Sequence, residues 1–449
     1  MKTIFISIFE GTEAKNILRT SVLSTLLEEP NVRIVLFTKN QDKADYYRKE
    51  FNDNRLIYEV VYRPPTYGLD SIFLRLKFLL LNTETTRLKH KINSASRLRY
   101  FLVMVLNKIL ARKFFIKTAR FFDYALIKRD FYGKYFDMYD PDLVFCAHLF
   151  DEPEIHMVRE AKKRGVKTIG FINSWDKTTA RCAIRILPDK FIVFNEIVKK
   201  ELLDYHAVGK TEIFVGGIPQ YDIYFLKEHT PRDDFFKKIK ADPRKKLIVI
   251  APVGKEFSGY DWKFIDRMFK LKNIGVINAE ILVRFQPNDP LDISETEKRP
   301  GLLFDYPGIR FSKKRGVDWD MSFDDIRHLA DTLFYADLLI CYPTSLSIDS
   351  AVCGTPVINV AYDLEDNSGS ARKTPTPFYG MTHYKNALGA GGIRLVKSET
   401  ELIEWTNKYL KNKELDSEGR QNLIKKQCYY LDGMSGERIG KFILLYMSS

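Results

Sequence analysis

One short run, DLLICYPTSLSIDSAVCGTPVINV over residues 337–360, limits the possible fold more than any other part of the chain. Leu338, Leu339 and Ile340 make one unbroken apolar run, and Val357, Ile358 and Val360 make another. Runs of this kind suit parallel strands covered on both faces. Between them lie a hydroxyl-rich turn, a short helix and a Gly-x-Pro break. Thr344, Ser345 and Ser347 are placed to cap that helix. A helix start offers free N–H groups and a partial positive charge, a natural seat for a phosphate. Asp349, one turn further, would then meet a hydroxyl group such as a ribose. An ordinary βαβ unit with no ligand has the same spacing.

The rest of the chain repeats this alternation in two halves. In the first, strand patterns at 3–9, 33–38, 56–62, 143–147, 167–172, 190–194 and 212–215 alternate with helix patterns at 13–27, 41–51, 152–164 and 196–206. In the second, strands at 247–251, 280–285, 309–311, 337–341, 356–360 and 393–396 alternate with helices at 260–271, 322–335, 347–353, 399–411 and 417–427. Such alternation calls for parallel, doubly wound sheets, and 449 residues exceed one ordinary core. The expected class is α/β with two domains, 1–228 and 244–432, divided at a polar stretch over 222–246, and a closing helix in 433–449. Five scattered cysteines without a C-x-x-C pair read as reduced core residues, not disulfides or zinc ligands. The start, MKTIFISIFEGTEA, reads as a first strand rather than a signal peptide. No run approaches the ~18 apolar residues of a membrane span.

The charge is uneven. Between Thr66 and Lys134, fifteen Lys/Arg stand against four Asp/Glu, so eleven of the chain's net +13 fall in one stretch. This insertion, 66–136, interleaves the charges with Phe and Leu: RLRYFLVMVLNKILARKFFIKTARFFDYALIKR. At helical spacing it makes basic amphipathic helices of the kind that lie on anionic membrane surfaces. A helical cap with solvated lysines is the alternative. No nucleic-acid fold signature accompanies the charge, so nucleic acid is not an expected partner.

Ligands of open α/β sheets sit beyond the carboxyl ends of the strands. In the first half those ends carry Gly11, His148, Asp151, the segment Asn173-Ser174-Trp175-Asp176, Glu196, and Gly216 with Gly217. In the second they carry Gly254, Lys255, Arg284 with Gln286, and the turn at 342–347. His148 suits deprotonation of an acceptor hydroxyl because imidazole titrates near neutrality. It can equally be structural, with Asp151 or Asp176 as the base. Trp175 can stack on a sugar or headgroup, or plug the surface. Asp151, Glu152 and Glu154 read as helix N-terminal acids, or one of them as the base instead, and Glu196 as a helix cap or a ligand-facing residue. Gly217 allows close approach of a ligand to the backbone. Lys255 and Arg284 can neutralise a diphosphate leaving group without a metal. Asp318-Trp-Asp320 lies in a charged loop and reads as a solvated turn.

Asp349-Ser-Ala-Val-Cys-Gly354-Thr-Pro356-Val-Ile resembles the donor-nucleotide motif of GT-B glycosyltransferases, which have two facing Rossmann-like domains. An ordered series extends the likeness from about residue 142 to 439: SWDKTT, FNEIVKKELLDYHAVGKTEIFVGGIPQYD, TSLSIDSAVCGTPVINVAYD, FYGMTHYKNAL, GGIRLVKSETEL and LDSEGRQNLIKKQCYYLDGMSGERI. It is similar to bacterial surface-polysaccharide transferases of that fold. These are relatives of poly(glycerol phosphate), sialyl- and Kdo-type transferases and of UDP-GlcNAc 2-epimerase-like proteins. The resemblance implies that Asp349, where many members have Glu, holds the donor ribose. It also implies that His383, in the loop TPTPFYGMTHY, lies near the donor, and that the last helix crosses back to the first domain. Members often carry Asn where this chain has Lys177.

The expected activity is transfer of a sugar from a nucleotide-sugar co-substrate to a lipid-linked or growing surface polysaccharide. It takes place at the cytoplasmic membrane face, with no further cofactor or metal. The alternatives are a CDP-alcohol glycerophosphotransferase, a sugar-nucleotide 2-epimerase-like enzyme, and a non-catalytic membrane-docking protein.

Overall fold

The structure is a computed structural model of the chain. It describes residues 1–62, 64–226, 229–254, 260–287, 289, 294–311, 318–363 and 374–449. Two compact units emerge, one formed by Met1–Asp222 with Cys428–Ser449, the other by Ile223–Gln427.

The first unit is built on β1 (Lys2–Ser7), β2 (Val32–Thr38), β3 (Leu56–Val60), β4 (Leu143–Cys146), β5 (Lys167–Phe171), β6 (Lys190–Val193) and β7 (Ile213–Val215). They lie in the order β3-β2-β1-β4-β5-β6-β7 with every pair parallel. All four residues of β4 are buried, as are Thr3–Ser7 of β1, which is what unbroken apolar strands require of a sheet covered on both faces. Phe5 sits edge-on to Phe37 and Phe136 at 4.9 and 5.1 Å, knitting the core beneath one face. The strand order reverses between β1 and β4. Their carboxyl ends therefore flank the switch point at which open sheets take ligands.

Between β3 and β4 the chain leaves the sheet for helices Leu69–Leu79, Glu84–Asn93, Arg97–Leu110 and Lys113–Leu126. Buried charges fasten them. Lys77 Nζ donates to Phe150 O at 2.8 Å and to Glu152 at 2.9 Å. Arg185, in the loop before β6, bridges Asp70 and Asp123 at 2.7 Å and Glu152 at 2.5 Å. Losing one partner of such a network strands a buried charge, so the insertion is held to its domain at specific points. Its outward faces are apolar. More than half of the exposed large apolar side chains among the described residues fall between Tyr67 and Leu126, and Leu98, Phe101, Phe114 and Phe121 are 63–71% exposed.

The last helix, Ser435–Ser448, belongs to the first unit and lies along Ser21–Glu28. Small residues permit the close approach: a Cβ on Gly440 would stand 2.7 Å from Thr25 Cβ. Asp222 accepts from the Ser435 and Gly436 N–H groups at 3.0 and 2.7 Å, and Phe214 stacks on Phe442 at 4.1 Å.

The second unit holds β8 (Leu247–Ala251), β9 (Glu280–Arg284), β10 (Leu303–Asp305), β11 (Ile309–Arg310), β12 (Trp319–Asp320), β13 (Leu338–Cys341), β14 (Val357–Val360) and β15 (Arg394–Val396). Its parallel sheet runs β10-β9-β8-β13-β14-β15, with the reversal between β8 and β13. Residues 309–311 do not supply the expected sheet strand. The edge strand is β10, and β11 pairs antiparallel with β12 apart from the sheet. Leu303 and Phe304 are too short an apolar run to announce a strand by periodicity. Asp320 is not in a solvated turn but wholly buried, its Oδ1 accepting from Met321 N–H at 2.7 Å. All five cysteines are free. No helix among the described residues is long and apolar enough to cross a membrane.

Candidate active site

Each switch point gathers a group of polar side chains. In the first unit the centre is His148, just past β4 and wholly buried. Its Nε2 lies 3.1 Å from Asp151 Oδ2, and its Nδ1 lies 2.8 Å from Lys177 Nζ. An ammonium group only donates, so Lys177 gives a hydrogen bond to Nδ1, and Nε2–H donates to Asp151. Burial, then the Lys177 charge, brings His148 down to about 4. Burial also lowers Lys177, against the pull of Glu10 and Glu13. Burial would raise Asp151, but the His148 hydrogen bond and the charges of His148, Arg181 and Lys177 outweigh it and hold the carboxyl well below its ordinary range.

Two acids complete this group. Glu13, on the helix Gly11–Ile17 that follows β1, accepts from the Phe9 and Glu10 N–H groups. Burial and the Glu10 charge push it up to about 7. Glu154 is buried with neither carboxylate oxygen hydrogen-bonded among the described residues, and burial followed by Glu13 and Asp151 raises it well above the usual carboxylate range. Acids that keep protons near neutrality beside a histidine that has lost its own are a mark of acid–base sites.

The other residues expected here divide. Gly11 starts the Glu13 helix and is buried. Asn173 donates to Ala147 O at 2.6 Å, next to His148. Ser174 donates to Asp176, which precedes the turn Lys177–Ala180, and Trp175 is half-buried beside them. Glu196 is exposed and ion-paired with Lys199 at 2.8 Å, while Asn195 caps its helix. Gly217 has φ +91°, and a Cβ there would meet Ser435 Oγ at 2.4 Å. What approaches its bare backbone is the last helix of the first unit, not a ligand.

In the second unit, Gly254 (φ +98°) follows β8 and donates to Asp261 at 2.7 Å. Gln286 donates to Val253 O at 2.8 Å, tying the loop after β9 to the loop after β8. Lys255 lies outside the described residues. Past β13, Asp349 is buried in the short helix Leu346–Val352 and accepts from Tyr224 O–H at 2.5 Å. Thr344 Oγ1 accepts from Leu346 N–H at 3.3 Å, and Ser345 opens the helix without a side-chain cap. Ser347 does not cap it. Its Oγ is turned into the core, 3.1 Å from Tyr384 O–H and 3.3 Å from Asn359 Nδ2. Arg284 does not stand as a free cation. It is buried against Asp305, which also has His328 Nε2 at 3.3 Å. Burial would raise Asp305, but the Arg284 charge and the His328 contact outweigh it and hold the carboxyl below its usual range. His383 lies buried on helix Thr382–Leu388, its ring 6.5 Å from that of Tyr384.

Residues 162–445 match the family described as CDP-glycerol:poly(glycerophosphate) glycerophosphotransferase. The chain belongs to that family. Teichoic acid ribitol-phosphate polymerase TarL of Staphylococcus aureus (strain NCTC 8325 / PS 47) is 22% identical over 446 residues, covering 93% of this chain and 71% of that protein. Among solved structures, UDP-GlcNAc 2-epimerase from Neisseria meningitidis bound to UDP-GlcNAc gives a TM-score of 0.58 at 13% identity, over 99% of this chain and 100% of that one. The wall teichoic acid polymerase TagF gives 0.53 at 12% identity, over 100% and 89%. At such identities the structures speak for the fold alone, which is GT-B. As a member of the glycerophosphotransferase family the chain is a transferase of surface-polymer type. The matched span holds Lys177 and the whole turn at 342–347 with Asp349, whereas Glu13, His148, Asp151 and Glu154 precede it.

Glu13 and Lys177 are the members of the site that sequence reasoning gave no role, whereas Glu154 was one of the acids it offered as an alternative base. A glutamate in a first helical turn ordinarily faces water, and nothing local says that this turn is buried. Lys177 carried one signal, its departure from the asparagine common in similar chains.

Proposed function

We propose that this glycerophosphotransferase-family chain moves a polyol phosphate from a CDP-alcohol to a lipid-linked or growing surface polymer. An acceptor hydroxyl attacks the phosphorus that carries the alcohol, the bond from that phosphorus to the bridging oxygen breaks, CMP leaves, and the hydroxyl proton passes to the protein. The observation that carries this reading is the family match, whose description names CDP-glycerol and whose span contains the donor turn. TagF structures are described with CDPG. A nucleotide-sugar donor, the expectation from sequence, has only the shared fold in its favour.

In this reading Asp349, oriented by Tyr224, holds the ribose hydroxyls. Gly254, Thr344 and Ser345 receive the pyrophosphate. Gln286 fixes the loop of Gly254, Arg284 and Ser347 set the framework, and His383 lies on the donor side. In the first unit Asp151 fixes the imidazole as a carboxylate does in acyl-transfer triads, and His148 takes the proton at Nδ1 when the acceptor hydroxyl replaces Lys177 Nζ there. Gly11, Asn173, Ser174, Trp175 and Asp176 form the acceptor side. Catalysis by positioning and charge needs no further cofactor. The apolar, basic face of 66–134 seats the protein on an anionic membrane at its cytoplasmic side.

The test is the melting temperature of the full chain titrated with CDP-glycerol, CMP, UDP-GlcNAc and UDP. A ligand of the folded state raises it by mass action. Cytidine compounds should shift it, Asp349→Asn should abolish the shift, and Tyr224→Phe should weaken binding about tenfold. A response to UDP-GlcNAc with none to CDP-glycerol would reinstate the sugar donor.

A further inference from the structure

A pocket of about 510 Å³ opens at the amino end of the first unit's sheet. Pro188 and Asp189 on its wall lead into the amino end of β6, and Glu212 leads into that of β7. It is therefore remote from His148, which follows the carboxyl end of β4. The outer wall is helix Lys113–Leu126, through Lys117, Arg120 and Phe121. Lys117 and Arg120 are three residues apart and share a helix face.

Arg120 is the anomaly in this wall. Its Nε–H donates to Ile184 O at 2.8 Å. Nη1 and Nη2 are buried, and neither has a hydrogen-bond partner among the described residues. The acids on the wall are engaged elsewhere. Asp189 accepts from Lys162 at 2.6 Å and from the Thr168 N–H and O–H at 2.9 and 2.7 Å. Glu212 accepts from Gly209 N–H at 3.1 Å. Arg185, also on the wall, is satisfied by Asp70, Asp123 and Glu152. Burial brings Arg120 down to about 9, with the Glu212 charge pulling it the other way. A buried guanidinium with unmatched N–H groups is costly, and its planar fork matches phosphate oxygens. On the same helix Phe114 and Phe121 are exposed, so the pocket mouth lies at the edge of an apolar, basic face.

We propose that this pocket binds a phosphate-bearing anion, with Arg120 taking its oxygens from within and Lys117 from the mouth. The phosphate belongs either to a glycerophospholipid headgroup or to a free polyol phosphate. The site does not depend on which donor the transferase uses.

The experiment takes the full chain, Arg120→Gln and Lys117→Gln, with two probes. One is calorimetric titration with glycerol 3-phosphate. The other is co-flotation with phosphatidylglycerol-containing vesicles against pure phosphatidylcholine. Wild type should bind glycerol 3-phosphate, or prefer phosphatidylglycerol over phosphatidylcholine, and Arg120→Gln should weaken that response about tenfold. Binding of the soluble probe assigns the site to a free phosphate, and a vesicle preference alone assigns it to a headgroup. The melting temperature of unliganded Arg120→Gln should match or exceed that of wild type, because an uncompensated buried charge is gone. The proposal is overturned if wild type responds to neither probe, or if both variants respond as wild type does. It is also overturned if Arg120→Gln melts lower with its probe response intact, which would make Arg120 a structural partner of Glu212. CDP-glycerol, titrated alongside, reports on the donor reading separately and should act alike on all three proteins.

Discussion

His148 stands between the carboxylate of Asp151 and the amine of Lys177, and in the proposed reaction that position sets the pH at which it acts. With burial and the Lys177 charge holding it near 4, the acidic limb of the pH–rate profile should fall well below the 6.5 of an ordinary imidazole. Lys177→Gln removes the cation and should move that limb upward. A limb that stays in place would show that His148 is not the group being titrated. Glu13 makes a second prediction. In the folded protein it keeps its proton to about pH 7, and in the unfolded chain only to about 4.5. Folding therefore takes up a proton between those values. The Glu13 contribution is whole below about pH 4.5, declines as pH rises to about 7, and is flat above. Glu13→Gln keeps an acceptor for the Phe9 and Glu10 N–H groups but cannot titrate. Its melting temperature should decline less than that of wild type across this window, and parallel curves would refute the assignment. At this scale the place of Asp349 in a short helix after a strand was legible. The engagement of Arg284 by Asp305 was not, because the partner lies 21 residues away on the neighbouring strand.

The elements fold where their apolar runs place them, and the close contacts between them rest on small residues. The last helix and Ser21–Glu28 approach through Gly436 and Gly440. Gly440→Val would press a branched side chain against Thr25, and overpacking of that kind should cost about 1–3 kcal/mol, read as a lower denaturant midpoint with unchanged slope. The strands of both sheets were legible because buried parallel strands carry unbroken Val, Ile and Leu. β10 was not, since its three residues are only partly buried and offer no periodicity.

For the molecule as a whole, the question is what its basic, apolar insertion faces. Phe114 and Phe121 are 71% and 68% exposed. If they enter a membrane interface, each contributes up to roughly 1.5–3 kcal/mol. Phe114→Ser with Phe121→Ser should then lower flotation with phosphatidylglycerol vesicles by at least about tenfold. Added salt should weaken wild-type flotation as well. The response to CDP-glycerol should stay as it is, since the residues proposed to hold the donor lie in the other unit. Undiminished flotation of the double variant would assign the exposed faces to another role.

By itself the sequence determined the class of fold, the two domains, the turn and short helix that carry Asp349, and the basic amphipathic insertion. Each is written in contiguous residues: an apolar run, a cap, a glycine, a charge repeated along one helix face. Only the tertiary structure decided which polar groups lose water. Burial made Glu13 and Glu154 proton-keeping acids, set Lys177 against His148, tied Arg284 to Asp305, and left the Arg120 Nη groups without an acceptor among the described residues. Those outcomes depend on desolvation and on partners distant in the chain, and neither is a property of any local segment.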